Sequence, residues 1–215
     1  MYVEGKVWAC GSSECGQLGS AKTSRSEVPI RVHLDDKDST TIESVVVGYA
    51  HVIAYTTSNE VYTWGLNTHG QLGLGHLKST SKPEKIKGIA TDTYITHIYA
   101  DGNSSAYLTN KGLLYTWGDN RYNRLLQISD YGTVSYAIPT LASLVHKESY
   151  GHRSLTIHSF VFGSRGSAVY AASTLHAVRI HYTLYTHNNI LLISVMYIYF
   201  IYYRLCLHVA RAPVW

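Results

Sequence analysis

Three copies of one short motif divide most of this sequence into units of similar length. They read Val-Trp-Ala-Cys-Gly at 7–11, Val-Tyr-Thr-Trp-Gly at 61–65 and Leu-Tyr-Thr-Trp-Gly at 114–118. Their final glycines, Gly11, Gly65 and Gly118, are 54 and 53 residues apart. Prolines at 29, 83 and 139 keep nearly the same spacing, 54 and 56 residues. A period slightly above 50 residues predicts an array of units that bury their apolar faces by stacking on one another.

A glycine-rich loop follows each motif. It reads Gly16-Gln17-Leu18-Gly19 in the first unit, Gly70-Gln71-Leu72-Gly73 in the second and Asn123-Arg124-Leu125-Leu126 in the third. The glycine spacing is wrong for a phosphate-binding Walker loop, and no Lys-Ser/Thr pair follows. We therefore interpret these segments as ordered structural loops.

The residues inside a unit favour strands. Val45–Val47 and Val52–Tyr55 are short β-branched and aromatic runs, and Ser58-Asn59 forms a turn before Val61–Trp64. Four short strands per unit, with no long helical periodicity, are typical of the blades of a β-propeller.

The motifs resemble the regulator of chromosome condensation repeat, whose units form a β-propeller. The second unit matches best, with Val47-Gly48-Tyr49-Ala50-His51 leading to Trp64-Gly65 and the loop 67–75. The first unit begins in mid-blade and has Cys10 where the family has tryptophan; the third has Asp101 at the Gly48 position and Ser104 at the His51 position. Residues 151–155 resemble the start of a fourth unit, but Phe162-Gly163 arrives too early to be its Trp-Gly equivalent, and the resemblance covers residues 2–158. The structural repeat motif comprises Gly11, Gly16, Gln17, Leu18, Gly19, Gly48, His51, Trp64, Gly65, Gly70, Gln71, Leu72, Gly73, Trp117 and Gly118.

The resemblance implies an all-β fold: an incomplete β-propeller of about three four-stranded blades, with an irregular or helical hydrophobic C-terminal tail. The expected domains are the repeats at 1–158 and a tail of unclear status at 159–215. The family's complete propeller has seven blades, so we expect a fragment, a truncated gene model or part of an assembly. We also expect Trp64 and Trp117 to occupy equivalent buried sites, His51 to bond backbone between strands, and residues 159–215 to add no blade.

The tail differs from the repeats in composition. All 14 acidic residues lie at or before Glu148, whereas residues 149–215 carry five arginines and no lysine. Residues 190–203 form a predominantly apolar, uncharged run of fourteen residues, fewer than the ~20 apolar residues that a membrane-spanning helix needs. Three interpretations remain open: a membrane segment through 190–210, sequence from a misread exon boundary, or folded structure.

No pattern indicates catalysis, a cofactor or a metal. Cys10, Cys15 and Cys206 form neither a disulfide framework nor a zinc ligand set. The histidines at 146, 152 and 158 lack the spacing that places two imidazoles on one helix face, and the acidic turn 35–38 is too short for paired carboxylates. Residues 1–148 have 13 basic and 14 acidic residues, so we expect no binding of nucleic acid.

Two classes of function remain. The first is a non-catalytic protein–protein interaction module, with a protein partner of unknown identity, because propellers present loops on a rigid platform. The alternative, implied by the resemblance, is guanine-nucleotide exchange on a small GTPase of the Ran type. A membrane-tethered repeat protein is a further alternative. The expected location is cytoplasmic or nuclear, or membrane-associated if the tail is a membrane segment.

Overall fold

The computed structural model describes residues 2–34, 39–89, 92–127, 134–142, 156–163, 166–172, 177–186 and 189–198. These residues form fifteen strands and a 3-10 turn at Arg121–Asn123. The strands are β1 (Tyr2–Val3), β2 (Lys6–Ser12), β3 (Arg25–Val32), β4 (Ile42–Val47), β5 (His51–Thr56), β6 (Val61–Gly65), β7 (Thr80–Lys85), β8 (Ile95–Asp101), β9 (Ser104–Thr109), β10 (Leu114–Asp119), β11 (Ser135–Leu141), β12 (Thr156–Gly163), β13 (Gly166–Ala172), β14 (Ala177–Thr186) and β15 (Asn189–Ile198).

Two complete four-stranded antiparallel sheets follow the sequence repeat. Their strand orders are β4-β5-β6-β7, here blade 2, and β8-β9-β10-β11, here blade 3. The first sheet, blade 1, has the order β1-β2-β3, and β1 pairs with β2 only at Tyr2↔Val7 and Val3↔Lys6. The prediction of an all-β, partial propeller of four-stranded blades is therefore confirmed.

The inner strands and the edge strands of a blade differ in burial and in sequence. β5 and β9 are buried along their whole length, as their apolar and small polar residues allow. The edge strands β3, β7 and β11 each carry one of the periodic prolines, Pro29, Pro83 and Pro139. Proline has no backbone N–H to donate, so an edge strand is where a sheet tolerates it. The second sequence marker thus identifies the outer strand of each blade.

The core lies between blades. Trp64 packs with Val7, Val32 and Ile42 at the contact of blades 1 and 2. Trp117 packs with Ile53, Ile86, Ile95 and Tyr107 at the contact of blades 2 and 3. Both tryptophans are 0% exposed. The prediction that they occupy equivalent buried sites is confirmed, and stacking of neighbouring blades is what buries them.

Gly65 and Gly118 end the third strands of their blades in a conformation that other residues disfavour. Their φ angles are +105° and +96°. A Cβ at Gly65 would overlap the carbonyl oxygen of Ala50, and one at Gly118 would overlap that of Asn103. Both the backbone conformation and the close approach of the neighbouring turn therefore require glycine.

Residues 156–198 correct the expectation about the tail. They form two β-hairpins, β12–β13 and β14–β15, where an irregular or helical tail was expected, and β13 lies beside β14. The hairpins are two separate two-stranded sheets, and the expectation that residues 159–215 add no blade stays a prediction. Ile157, Phe160 and Val169 are buried against Leu108 and Leu114 of blade 3. Ile157 and Phe160 are both buried although they are three residues apart, because the pairing register shifts between Ile157 and Ser159. This irregular pattern, without a Trp-Gly marker, did not predict the strand.

No helix among the described residues is long and apolar enough to span a membrane. Residues 190–198 belong to β15, whereas 199–215 lie outside the described residues. The same holds for the acidic turn 35–38 and for the proposed start of a fourth unit at Gly151.

Candidate functional site

One end of the sheets carries the long loops, and we call it the loop face. It comprises the turns 48–50 and 102–103 and the loops 13–24, 66–79 and 120–127. The backbone joins the turns of blades 2 and 3, since Tyr49 N donates to Gly102 O at 2.7 Å. Within blade 2, Leu66 N donates to Ala50 O at 2.8 Å. The opposite end, here the hairpin face, carries the short turns 57–60 and 110–113.

A buried side chain shapes each long loop from inside. In blade 2, Asn67 Oδ1 accepts from Leu72 N at 3.0 Å, while its Nδ2 donates to His76 O at 2.7 Å. In blade 3, Asn120 Oδ1 accepts from Leu125 N at 3.1 Å. In blade 1, Ser13 Oγ takes the same role toward Leu18 N, also at 3.1 Å. Because these bonds satisfy buried backbone groups, the loops are ordered parts of the fold.

The Gly-Gln-Leu-Gly loops hold each blade to the next through hydrogen bonds, and we call each such set of bonds a latch. Trp64 Nε1 donates to Gln17 O at 3.0 Å, and Trp117 Nε1 donates to Gln71 O at 2.9 Å. The side chain of Gln71 also contacts both sides, since its Oε1 accepts from His69 N in its own loop at 2.8 Å and its Nε2 donates to Asn103 Oδ1 of blade 3 at 3.2 Å. The indole thus joins the motif of one unit to the loop of the unit before it.

His51 belongs to the same latch, but not as the sequence suggested. Its Nε2 contacts the hydroxyl of Ser105 at 2.9 Å, rather than a backbone group. Ser105 Oγ in turn donates to Gln71 O at 2.8 Å, so Nε2 of His51 carries the proton. Nδ1 has no hydrogen-bond partner among the described residues, and burial lowers the pKa of His51 to about 4. The imidazole of His51 does not reach the backbone because the hydroxyl of Ser105, in the next blade, lies between the ring and the carbonyl oxygen of Gln71.

Gly48 and His51 form a coupled pair. A Cβ at Gly48 would lie 2.1 Å from Cε1 of His51 and 2.8 Å from the carbonyl oxygen of Gly102, so the imidazole is the tighter of two obstacles to a side chain there. Blade 3 has Asp101 and Ser104 at the two equivalent positions. Since the smaller Ser104 replaces the imidazole, the aspartate side chain fits. Asp101 and Ser104, which differ from the motif at two separate positions of the sequence, are therefore structurally coupled replacements.

The exchange in blade 3 extends to the loop. Arg124, at the position of Gln71, is 6% exposed and forms an ion pair with Asp101. Its guanidinium also lies 5.2 Å from the ring centre of Phe162 in β12. Its carbonyl oxygen accepts from Ser167 Oγ, as Gln71 O accepts from Ser105. A charged latch thus replaces the neutral one where blade 3 meets β12 and β13.

Aromatic side chains project from the loop face into solvent. Tyr49 is 81% exposed and Tyr122 is 45% exposed. Beside Tyr122, Asp119 accepts from Arg121 Nε at 2.8 and 3.0 Å. Burial alone would raise the pKa of Asp119, but the bonds from Arg121 hold it below its ordinary value. The face therefore combines exposed tyrosines with a fixed charge pair on a rigid base.

The part of the chain that the structure describes contains no group of three or more His, Cys, Asp or Glu side chains that could hold a metal ion. His51 is enclosed, with its proton on the nitrogen that faces Ser105. The chemistry that this surface offers is recognition through aromatic rings, hydroxyls and a charge pair.

The motif residues chosen from the sequence all lie at the loop face or directly beneath it. Gly16, Gln17, Gly70 and Gln71 belong to the loops, and Leu18 and Leu72 are buried under them. Sequence reasoning missed Ser105, Asn67 and Asn120, which hold the loops, and the Asp101–Arg124 pair. The repeat spacing could have revealed Asn67 and Asn120, which are 53 residues apart.

The stacked four-stranded blades and their latched loops define a partial β-propeller of the repeat type. Residues 4–55 and 58–108 match the regulator of chromosome condensation (RCC1) repeat, and a second description of that repeat matches residues 42–71. Residues 4–108 thus consist of regulator of chromosome condensation repeats and belong to a partial β-propeller.

Curated relatives share the repeat region. The human E3 ubiquitin-protein ligase HERC2 is 38% identical over 125 residues, 57% of this chain and 2% of that protein. The human X-linked retinitis pigmentosa GTPase regulator is 38% identical over 130 residues, 59% of this chain and 11% of that protein. Human protein RCC2 is 33% identical over 128 residues, 60% of this chain and 24% of that protein. The chain therefore spans a minor part of these relatives.

Solved structures show the same fold. Human WBSCR16 superposes with a TM-score of 0.64 at 24% identity, over 84% of this chain and 43% of that one. Prp20p from Saccharomyces cerevisiae gives a TM-score of 0.58 at 20% identity, over 83% of this chain and 41% of that one. At this identity the likeness concerns the fold alone.

Proposed function

We propose that the chain is a non-catalytic interaction module whose loop face binds a protein partner. The observation that supports this is the combination of a rigid base with exposed aromatic residues. The latches to Gln17 O and Gln71 O fix the loops, while Tyr49 and Tyr122 remain exposed above them. Tyrosine supplies a large contact area at low entropic cost and is enriched among the residues that dominate binding energy.

The relatives favour a protein as the partner. Prp20p is described by its binding to Gsp1p and histones, and another relative is named as a GTPase regulator. For this chain a small GTPase is accordingly the leading specific candidate, in the cytoplasm or nucleus. The short span shared with these proteins makes the partner a proposal for this chain.

Site-specific photo-crosslinking tests the proposed surface. A photoreactive phenylalanine replaces Tyr49 in one variant, Tyr122 in a second and Tyr94 in a third. Tyr94 is a matched control, since it is 58% exposed but lies at the hairpin face. We expect one protein adduct common to positions 49 and 122 and absent at 94. Y49A and Y122A should weaken binding of that protein, whereas Y94A should not. Equal adducts at both faces would contradict the proposal.

Nucleotide release tests exchange activity, the second candidate. Exchange requires contacts that remodel the nucleotide site of the GTPase, and one of the loops here has lost its Gly-Gln-Leu-Gly sequence. We expect that the purified chain does not accelerate release of a fluorescent nucleotide from a Ran-type GTPase. Saturable acceleration, lost in Y49A and Y122A, would instead establish exchange activity at this face.

A further inference from the structure

Three aliphatic side chains lie exposed along the outer edge of blade 3, and we call them the β11 patch. Val134, directly before β11, is 61% exposed, and Ile138 and Leu141, within it, are 56% and 37% exposed. β11 carries no charged residue, whereas β3 and β7 each carry two basic residues and one glutamate. Proteins usually prevent association through an exposed edge strand with charged side chains, lysine above all. The outer strand of blade 3 lacks this protection.

Blade 2 shows that the fold does not require aliphatic residues at these positions. Tyr136 pairs with Gly118 as Thr80 pairs with Gly65, so the two outer strands correspond at an offset of 56 residues. At this offset the equivalents of the β11 patch are three exposed lysines, Lys78, Lys82 and Lys85. Because the same positions hold lysine one blade earlier, folding alone does not account for the β11 patch.

The β11 patch adjoins the loop face on two sides. Asn120 N donates to Val134 O at 2.7 Å, which joins the patch to the loop that carries the exposed Tyr122. Gly75 N donates to Ala137 O at 2.9 Å, which joins it to the long loop of blade 2. A protein bound across these two loops therefore lies directly beside the patch.

We propose, on the basis of the proposed function, that the β11 patch is a second contact surface for the protein that binds the loop face. The patch receives apolar side chains of that protein. Side chains make the contact, because Ala137 O already accepts from Gly75 and Pro139 has no N–H to offer an added strand. The uncharged strand excludes a partner segment that depends on ion pairs at this place, and selects one that buries aliphatic or aromatic groups.

Crosslinking from position 49 in altered backgrounds tests the patch. The photoreactive phenylalanine stays in place of Tyr49, and the second change is I138K in one protein and K82I in another. I138K copies blade 2, so we expect an unchanged midpoint of thermal unfolding. It should raise the chain concentration that gives half-maximal adduct at least ~10-fold, which corresponds to ~1.4 kcal/mol, because one aliphatic side chain loses its burial. K82I, the matched control, should leave that concentration unchanged.

A photoreactive phenylalanine in place of Ile138, with Lys82 as the matched control position, identifies the occupant. We expect position 138 to capture the same protein as positions 49 and 122, and position 82 to capture none of it. An unchanged yield from position 49 in I138K would overturn the proposal for the β11 patch and leave the loop face standing. Capture at position 138 of a different protein, a second copy or this chain's own residues would also overturn it. No adduct at positions 49 and 122 would remove the proposed function, and the β11 patch with it.

Discussion

At the scale of single residues, the pair Gly48 and His51 shows how one side chain limits which residue fits at a second position. The imidazole is buried, donates from Nε2 to Ser105, and occupies the space into which any Cβ at position 48 would project. Blade 3 solves the same problem with Asp101 and Ser104. Compatibility at these positions is therefore a property of the pair, and the energies of their substitutions are not additive.

A double-mutant cycle tests this coupling. G48A should destabilise the protein by about 1–3 kcal/mol, because the added methyl overlaps His51. In an H51S background, which copies the residue of blade 3, G48A should cost at least ~1 kcal/mol less. Urea unfolding of the four proteins measures the coupling energy. Additive effects would show that His51 is not what excludes a side chain at position 48.

The buried imidazole also predicts a dependence of stability on pH. Burial lowers the pKa of His51 from 6.5 to about 4, so the unfolded chain binds its proton at a higher pH than the folded chain does. Stability contributed by the neutral ring is complete above pH 6.5 and is lost as the pH falls toward 4, by up to ~3 kcal/mol. The free energy of unfolding of H51Q should accordingly decrease less over this interval. Parallel pH profiles for the two proteins would contradict the prediction.

At the scale of the elements, each long loop joins two strands of its own blade and also holds the next blade through hydrogen bonds. Blade 3 differs, since Arg124 replaces the Gln71-type side chain and pairs with Asp101. Arg124 is almost fully buried beside Phe162, so its charge depends on this partner. Two residues of the same loop, Asn123 and Leu126, have φ of +52° and +55° where the other loops have glycine. The loop of blade 3 thus keeps the shape of the others with different residues.

Removing the charge of Asp101 tests the charged latch. D101N should destabilise the protein by about 1–3 kcal/mol, because it leaves a buried guanidinium without its counter-charge. The ion pair of Asp92 with Lys111 is the matched control, since 72% and 50% of those side chains are exposed. D92N should leave the midpoint of thermal unfolding unchanged, as exposed pairs contribute little. If D101N behaves like D92N, the pair does not hold blade 3.

At the scale of the whole molecule, stability comes from the contacts between successive blades. Each of the three hydrophobic clusters joins neighbouring sheets, and the third joins blade 3 to β12 and β13. No sheet buries both of its faces alone, as expected of stacked repeats. The division into repeats at 1–158 and a tail at 159–215 stays a proposal about domains, and β12 runs from Thr156 to Gly163 across that position.

Truncation measures what β12 and β13 contribute. A chain ending at residue 158 lacks Phe160 and Val169, which are buried with Leu108 and Leu114. It should unfold at a lower urea concentration than a chain ending at 172, because removal of such side chains exposes apolar area worth about 1.5–3 kcal/mol each. Circular dichroism should also show a less cooperative transition. Identical unfolding curves would mean that blade 3 does not need this hairpin.

The sequence alone determined the period, the strands of the repeats and the equivalence of Trp64 and Trp117. Those features are local or periodic: alternating apolar residues specify strands, Gly65 and Gly118 satisfy a positive φ, and repeated spacing implies stacking. The prolines marked the period, and the structure places them on the edge strands, where a residue without a backbone N–H is tolerated. Such signals depend on neighbours in the chain, so they can be read without coordinates.

Only the tertiary structure decided the contacts between units. That His51 meets Ser105 follows from how blades 2 and 3 stack. Within blade 3, the fold brings Asp101 at the end of β8 to Arg124 in the loop 120–127. The strands β12 to β15 carry no Trp-Gly marker, and their assignment depended on packing against blade 3 and on pairing with one another. A sequence repeat specifies each blade, whereas the residues that join blades are selected by a neighbouring surface about 54 residues away, which local patterns do not record.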